Sequence, residues 1–469
     1  MYVIIQIELY LFVHCSEVKI LEAKVSSNGL TGVLDRVFHL SENKTTVRQE
    51  SMAGLTTFMA MAYILFVNPS ILGAAGMDKG AVFTATALSA ILGCFLMGFL
   101  ANYPIAIAPG LGDNAFFTYS VVLAMGIPWQ KAMAGVFVAS VLFTIISFLK
   151  IREKIIDAIP QDLKYAMAAG IGLFIAFVGL QGGGLVVADK SSLVGIGSFT
   201  VPTTWLTIFG IFFTGILMAK KIPGSIFYGL VATTILGLVT GLIKMPTHLI
   251  SLAPSLKPTF GVGIMNLSAM TSPQMWAVVL IFFLVAFFDT AGTLIGLAQQ
   301  AGIMKNGKMP RIGRALMADS LSMLGGSVMG TTPTAAYVES SAGIAIGGKT
   351  GLTAVVTGLL FMLSMIFSPF LTVVTSNVTA PALIIVGVLM ASALKKIQWD
   401  KFEVALPSFL VILGMPLTYN ICYGIAFGFL TYPLFMTAAG KRKEVNPLMW
   451  LMLVVFIILL YVLNILPRS

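Results

Sequence analysis

Three groups of polar side chains stand inside apolar runs: Asp289 in IFFLVAFFDTAGTLIGLAQQ, Glu339 in GGSVMGTTPTAAYVESSAGIAIGG, and Asp113 with Asn114 in IAIAPGLGDNAFFTYSVV. Ionisable groups inside a bilayer are costly and point by default to function. A carboxylate taken out of water favours its protonated form, and two sharing one cavity disfavour double ionisation. One can then hold a proton while the other accepts hydrogen bonds from ligand N–H groups. An Asn presents donor and acceptor together, which matches the mixed edge of a heterocyclic amide. Thr331, Thr332 and Thr334 either orient such a ligand or satisfy backbone groups. Phe116, Phe117 and Tyr119 offer stacking surface, although aromatics in a span more often pack or face lipid. The competing structural readings are a buried cation paired with Glu339, and a helix contact from Asp289 to Thr290 or Thr293.

The elements that must position these groups are interrupted ones. Unbroken helix is a poor reading of 325–348: Pro333 has no amide hydrogen, and the Gly-Thr-Thr-Pro run favours extended backbone before a helix starting near Ala336. Glu339 then falls in the first turn of a half-helix, where the helix dipole and free amides favour anions and polar ligands. Non-helical backbone at membrane depth is tolerated only when buried in protein or lining a cavity. The stretch 102–126 repeats the pattern, with an extended apolar run, a break at Pro109-Gly110, and a short helix carrying Asp113 and Asn114. Two such segments in matching positions of two halves indicate a transporter with inverted repeats and a site near the bilayer midplane.

The rest of the chain supports that frame. Of its 469 residues 58% are hydrophobic and only 10% charged, and runs of about 20 apolar residues, enough to cross a bilayer of ~30 Å, recur along it. Spans are expected at 51–72, 80–101, 129–149, 165–180, 201–218, 222–243, 275–301, 315–329, 350–374, 380–394, 402–416 and 419–438. With the two interrupted segments these make fourteen, seven plus seven, in an all-α polytopic protein with short extended strands and half-helices at segments 3 and 10. The N-terminus is placed in the cytoplasm. Basic residues then collect at the cytoplasmic ends of even-numbered segments: Lys150, Arg152 and Lys154; Lys220 and Lys221; Lys305, Lys308, Arg311 and Arg314; Lys395, Lys396 and Lys401; Lys441, Arg442 and Lys443. The loops 181–193 and 244–260 are read as outward. The run 449–463 either crosses the bilayer or lies along it, and 1–30 reads as a dispensable extension rather than a signal peptide or span.

The net charge of +10 is explained by this orientation rather than by nucleic acid, because the basic residues form no single polar face. Cys15, Cys94 and Cys422 are too few and dispersed for a disulfide framework or a metal site, and His14, His39 and His248 lack ligand spacing. No phosphate-cradling glycine loop is followed by GK[ST], so an ATP-driven pump is unsupported. No cofactor is expected, and the energy source is an ion gradient or the substrate's own gradient.

The runs TTVRQESMAGLTTFMAMAYILFVNPSIL, ANYPIAIAPGLGDNAFFTYSVV, FFDTAGTLIGLAQQAG, PRIGRALMADS and YVESSAGIAIGGKTGLTAVVTGLL together resemble the AzgA-like purine permeases of the nucleobase–cation symporter, or nucleobase–ascorbate transporter, superfamily. The similarity runs from about Leu34 to the C-terminus. It implies a proton-coupled plasma-membrane importer of hypoxanthine, guanine, adenine or xanthine with a uracil-permease-type fold. In this scheme 1–50 is a cytoplasmic extension, 51–150 and 273–374 form a core domain, and 151–272 and 375–469 form a gate domain. The resemblance marks Asn114, Asp289 and Glu339 as purine ligands; Asp113, Thr332 and Ala115 complete the candidate set, and Asp289 and Glu339 are also assigned the proton coupling. Two departures stand out: Ala286 replaces an acid common in the family, and Asp113 stands where Leu or Met is common, so Asp113 is expected to compensate for the lost acid. The partners expected are a purine nucleobase, protons and lipid, with a homodimer as the assembly to test. The rival readings are a carrier of pyrimidine, urate or an organic anion, and a membrane-embedded enzyme using the paired carboxylates.

Overall fold

The computed structural model describes residues 29–149, 159–189, 191–246, 248, 250–304 and 309–464; within these, the side chains at 30, 287–289, 291, 292, 295, 299, 372, 459 and 462–464 are outside the described set. The expectations for 1–28, for the basic residues at 150–154 and at 305 and 308, and for the Asp289 side chain therefore fall outside the described residues.

Apolar helices dominate. Among the described residues eight are long and apolar enough to cross a bilayer, Val47–Ala74, Lys79–Ala101, Trp129–Phe148, Gln161–Gly182, Pro202–Ala219, Gly351–Leu371, Ser376–Lys396 and Ile421–Ala438; Ser225–Val239, Pro273–Ala286, Phe402–Leu417 and Pro447–Ile458 are shorter. The first of these is divided into Val47–Met61 and Ile64–Ala74. Pro69 removes the amide that would pair with the Leu65 carbonyl. Before it the chain tightens into i to i−3 bonds, from Leu65 N to Ala62 O (3.2 Å) and from Phe66 N to Tyr63 O (3.0 Å).

The two interrupted segments meet. Strand β1, Ile107–Pro109, pairs antiparallel with a strand at Thr334–Ala336, in the register Ile107 to Ala336, Ala108 to Ala335 and Pro109 to Thr334. Both strands are fully buried, and small side chains at 108, 335 and 336 allow the backbones to approach inside a helical bundle. The ladder is extended by Tyr337 N to Ala106 O (3.0 Å) and Gly110 N to Pro333 O (2.9 Å), and Ala106 N donates to Ser340 Oγ (3.0 Å). Each backbone group left unpaired at this depth would cost several kcal/mol; each broken span supplies the other's missing partners.

The helix after Pro333 starts at Ser340, not near Ala336. Residues 334–336 remain extended because β1 offers them hydrogen bonds, and Glu339 consequently occupies the N-cap position of Ser340–Ala345 rather than its first turn. That short helix lies against Val47–Met61. A side chain at Gly343 would collide with Thr57 Oγ1 and come 2.5 Å from Ala53 O. Gly343→Leu is therefore expected to cost about 1–3 kcal/mol through overpacking and to lower the unfolding temperature in detergent; wild-type melting would mean that the half-helix is seated elsewhere.

Glu50, at the end of the expected N-terminal extension, is fully buried and accepts from Thr45 Oγ1 (2.8 Å), Lys349 N (3.0 Å), Thr350 N (3.2 Å) and Thr353 Oγ1 (2.6 Å). It ties the first long helix to the start of Gly351–Ser364. The loop 181–193 contains half of a hairpin, β2 at Val186–Asp189 and β3 at Leu193–Ile196, which makes the Thr334–Ala336 strand β4. At the hairpin tip the Ser191 hydroxyl, then the Ser192 and Ser191 amides, hold the exposed Asp189 carboxyl well below the usual range. The C-terminal helix Pro447–Asn464 packs on Ile421–Ala438, with Phe429 and Phe456 stacked at 5.0 Å.

Candidate functional site

Gly110 is extended and opens the helix Leu111–Ala115, which continues as a wider helical stretch over Phe116–Ala124. Asp113, Asn114 and Ala115 all lie on its first turns, and each is buried. Phe116 and Phe117 fix the helix to its neighbour by packing on Phe282, at centroid distances of 4.8 and 6.4 Å.

The Asn114 side chain is set by the other broken segment, for Thr332 Oγ1 donates to its Oδ1. Among the described residues Asn114 Nδ2 is buried without a hydrogen-bond partner. A buried orphan donor costs about 1–3 kcal/mol, which is tolerable where a ligand accepts from it. The other two threonines have structural partners: Thr331 Oγ1 accepts from Asn68 Nδ2 (3.1 Å) and Thr334 Oγ1 donates to Ser322 Oγ (2.9 Å). Asn68 was not expected from the sequence. It is fully buried, its Nδ2 also donates to Thr86 Oγ1 (2.7 Å), and its Oδ1 has no partner among the described residues.

Glu339 lies beyond the opposite end of the ladder and is half-buried. The hydroxyl of Tyr63, itself fully buried, donates to Glu339 Oε1 at 2.6 Å. No cation is paired with Glu339 among the described residues, in contrast to the packing alternative. Tyr63 stands at the break between Val47–Met61 and Ile64–Ala74, so the kink that turns it inward also aims the carboxylate. Tyr63→Phe removes only the hydroxyl; about 1–3 kcal/mol of lost orientation and satisfaction should raise the apparent KM roughly 5- to 150-fold with little change in maximal rate. An unchanged KM would reduce Tyr63 to a packing residue.

Asp289 belongs to Pro273–Gln300, which runs past β4 and both half-helices. The structure describes the neighbouring Thr290, which donates to Asp319 Oδ1 at 3.3 Å. Asp319 is fully buried on Ile312–Met329, a second acid that hydropathy alone did not single out. Gln300 ends the long helix and donates to Ser341 O (3.2 Å), joining it to the half-helix. Asn114 and Thr332 are thus in direct contact, Asp113 and Ala115 share the Asn114 turn, and Glu339 follows the other strand at the ladder's far end, with its carboxylate on Tyr63. Cys94 and Cys422 are buried thiols, in keeping with a packing role.

A family model described as Permease family matches residues 48–463. The chain is 54% identical over 430 residues to the guanine/hypoxanthine permease PbuG of Bacillus subtilis (strain 168), covering 90% of this chain and 98% of that one. To the guanine/hypoxanthine permease PbuO of the same organism it is 45% identical over 437 residues, covering 91% and 100%. Among solved structures, the transmembrane domain of the cyanobacterium bicarbonate transporter BicA matches with a TM-score of 0.58 at 15% identity, over 81% of this chain and 97% of that one, a likeness of fold alone.

Proposed function

The chain belongs to the Permease family, among the purine permeases of the nucleobase–ascorbate transporter superfamily, and from that premise we propose that it imports purine nucleobases in symport with protons, by alternating access. It is a transport protein of the membrane and not an enzyme. Guanine and hypoxanthine are the leading substrates, because both relatives compared above carry those names; adenine and xanthine are the alternatives within the class.

The observation that carries the reading is the antiparallel pairing of β1 with β4. Half-helices leave the ladder at opposite ends, and three residue pairs at ~3.3 Å per residue span roughly 10 Å, a length suited to one flat base. Asn114 gives its free N–H to a ring acceptor, Glu339 takes ring N–H groups while Tyr63 holds it, and Thr332 locks the Asn114 amide. Asp113, Asp289 and Ala115 complete the wall, with Asp113 compensating for the acid lost at Ala286. Asp289 and Glu339 carry the proton. In this reading fourteen segments form seven-plus-seven inverted repeats, the N-terminus is cytoplasmic, and the protein lies in the plasma membrane. A core of 51–150 and 273–374 moves against a gate of 151–272 and 375–469, and a homodimer is the assembly to test.

The test is uptake of radiolabelled guanine, hypoxanthine, adenine and xanthine into transport-deficient cells, with and without a protonophore. Accumulation of guanine or hypoxanthine that the protonophore collapses is the expected result. Absence of uptake of all four bases would overturn the assignment, and uptake insensitive to the protonophore would overturn the coupling.

A further inference from the structure

The far end of the segment that carries Asn114 packs against the turn at 418–420, and residues of that turn line a small cavity. Tyr419 occupies the turn between Phe402–Leu417 and Ile421–Ala438 with a left-handed backbone, φ 52. Residues other than glycine keep such a conformation where their surroundings over-determine it. The Tyr419 ring is held edge-on by Tyr119 at 5.7 Å, Phe174 at 5.5 Å and Phe177 at 6.1 Å. Tyr119 follows Asn114 on the same helical stretch, about 7 Å farther along at ~1.5 Å per residue. A second tie crosses the same boundary, from Ile421 N to Ser120 Oγ at 3.3 Å. The 419–421 turn and Gln161–Gly182 are thereby clasped to the segment that bears Asn114.

Thr418 and Asn420, the immediate neighbours of Tyr419, help to line a cavity of about 170 Å³ together with Met125, Ile127 and Gln274. This lies below the ~300–1,000 Å³ of drug-sized sites, as suits a small ring. Met125 and Ile127 offer apolar surface, Gln274 offers a carboxamide, and Asn420, whose Oδ1 caps Cys422 N at 2.9 Å, contributes its NH2 group. That combination accepts a flat heterocycle edged with C=O and N–H groups.

We propose that this cavity is an outer holding site for the transported base, and that Tyr419 is the partition separating it from the inner site at Asn114 and Glu339. The proposal rests on purine import with the orientation given above, which puts 124–127, 274 and 418–423 on the outer face. A base would wait in the cavity until the Tyr419 clasp on Tyr119 opens, and the clasp would close behind it.

The test uses the full chain with Cys15, Cys94 and Cys422 replaced by Ala and Ala124→Cys added, at a lining position that gives the base no hydrogen bond, labelled from outside by a membrane-impermeant maleimide. Saturating hypoxanthine should slow labelling at least threefold. It should do so equally when Asn114→Ala disables the inner site, provided that labelling without base is as fast as in the parent, which shows the fold to be intact. Protection that vanishes with Asn114→Ala, or is absent in both, overturns the holding site. Parallel hypoxanthine uptake by the otherwise wild-type chain separates this from failure of the import reading: no uptake removes both, whereas uptake without protection removes only the outer site. For the partition, Tyr419→Ala should lower steady-state accumulation at least fivefold while initial downhill uptake stays within twofold, and Tyr419→Phe should recover at least half of the lost accumulation. Equal loss of both rates, or no recovery with Phe, overturns the role of the ring.

Discussion

Glu339→Gln is expected to weaken binding of guanine and hypoxanthine about a hundredfold, with the protein still folded and inserted. The carboxylate accepts from Tyr63 at 2.6 Å and is half-buried, which leaves acceptor capacity for ligand N–H groups. Hydrogen bonds to a charged partner contribute about 1.5–3 kcal/mol each. Gln keeps one oxygen and replaces the other with an NH2 group, so either the Tyr63 hydroxyl or the ligand loses its acceptor and meets a donor instead. A loss near 3 kcal/mol is roughly a hundredfold in Kd. Equilibrium binding of radiolabelled hypoxanthine to purified protein reads this directly, and unchanged affinity would move the base away from Glu339.

The second large effect is on energy coupling. Asp289→Asn keeps the shape of the side chain and removes its ability to take up a proton. Accumulation of hypoxanthine at pH 7 should fall to an inside-to-outside ratio of about one, while exchange of labelled for unlabelled base continues, because equilibration needs a binding site but not a proton cycle. Full uphill accumulation by the variant would assign the proton to another group. Asp319, bonded to Thr290 one residue along the same helix, would be the next to replace.

Much of this arrangement was legible in the sequence because membrane depth leaves the backbone few choices. Pro109-Gly110 and Thr332-Pro333 could not continue helices, and each broken span needed hydrogen-bond partners inside the protein. Their matching positions pointed to one site near the midplane but did not say that the two spans would supply each other's partners. The pairing of Ile107 with Ala336 did not, since three-residue strands more than two hundred residues apart carry no periodic signal. Glu339 was displaced from the first turn to the N-cap for the same reason: strand pairing of 334–336 delays the helix. Tyr63 was hidden because a tyrosine in MAYILFV reads as an apolar span, and only the break ahead of Pro69 turns it toward Glu339. Glu50 read as the end of the cytoplasmic extension because its hydrogen-bond partners, the amides of Lys349 and Thr350, are distant in sequence. Phe116 and Phe117 pack on Phe282, while the three threonines proved to have three different partners.

The meeting of two broken spans around one flat base is tested most directly by an experimental structure of the protein with hypoxanthine bound. The base should lie against the paired strands 107–109 and 334–336, within hydrogen-bonding distance of Asn114 Nδ2 and the Glu339 carboxylate. A base bound away from both side chains, or spans 107–124 and 331–345 running as separate continuous helices, would contradict the proposed site.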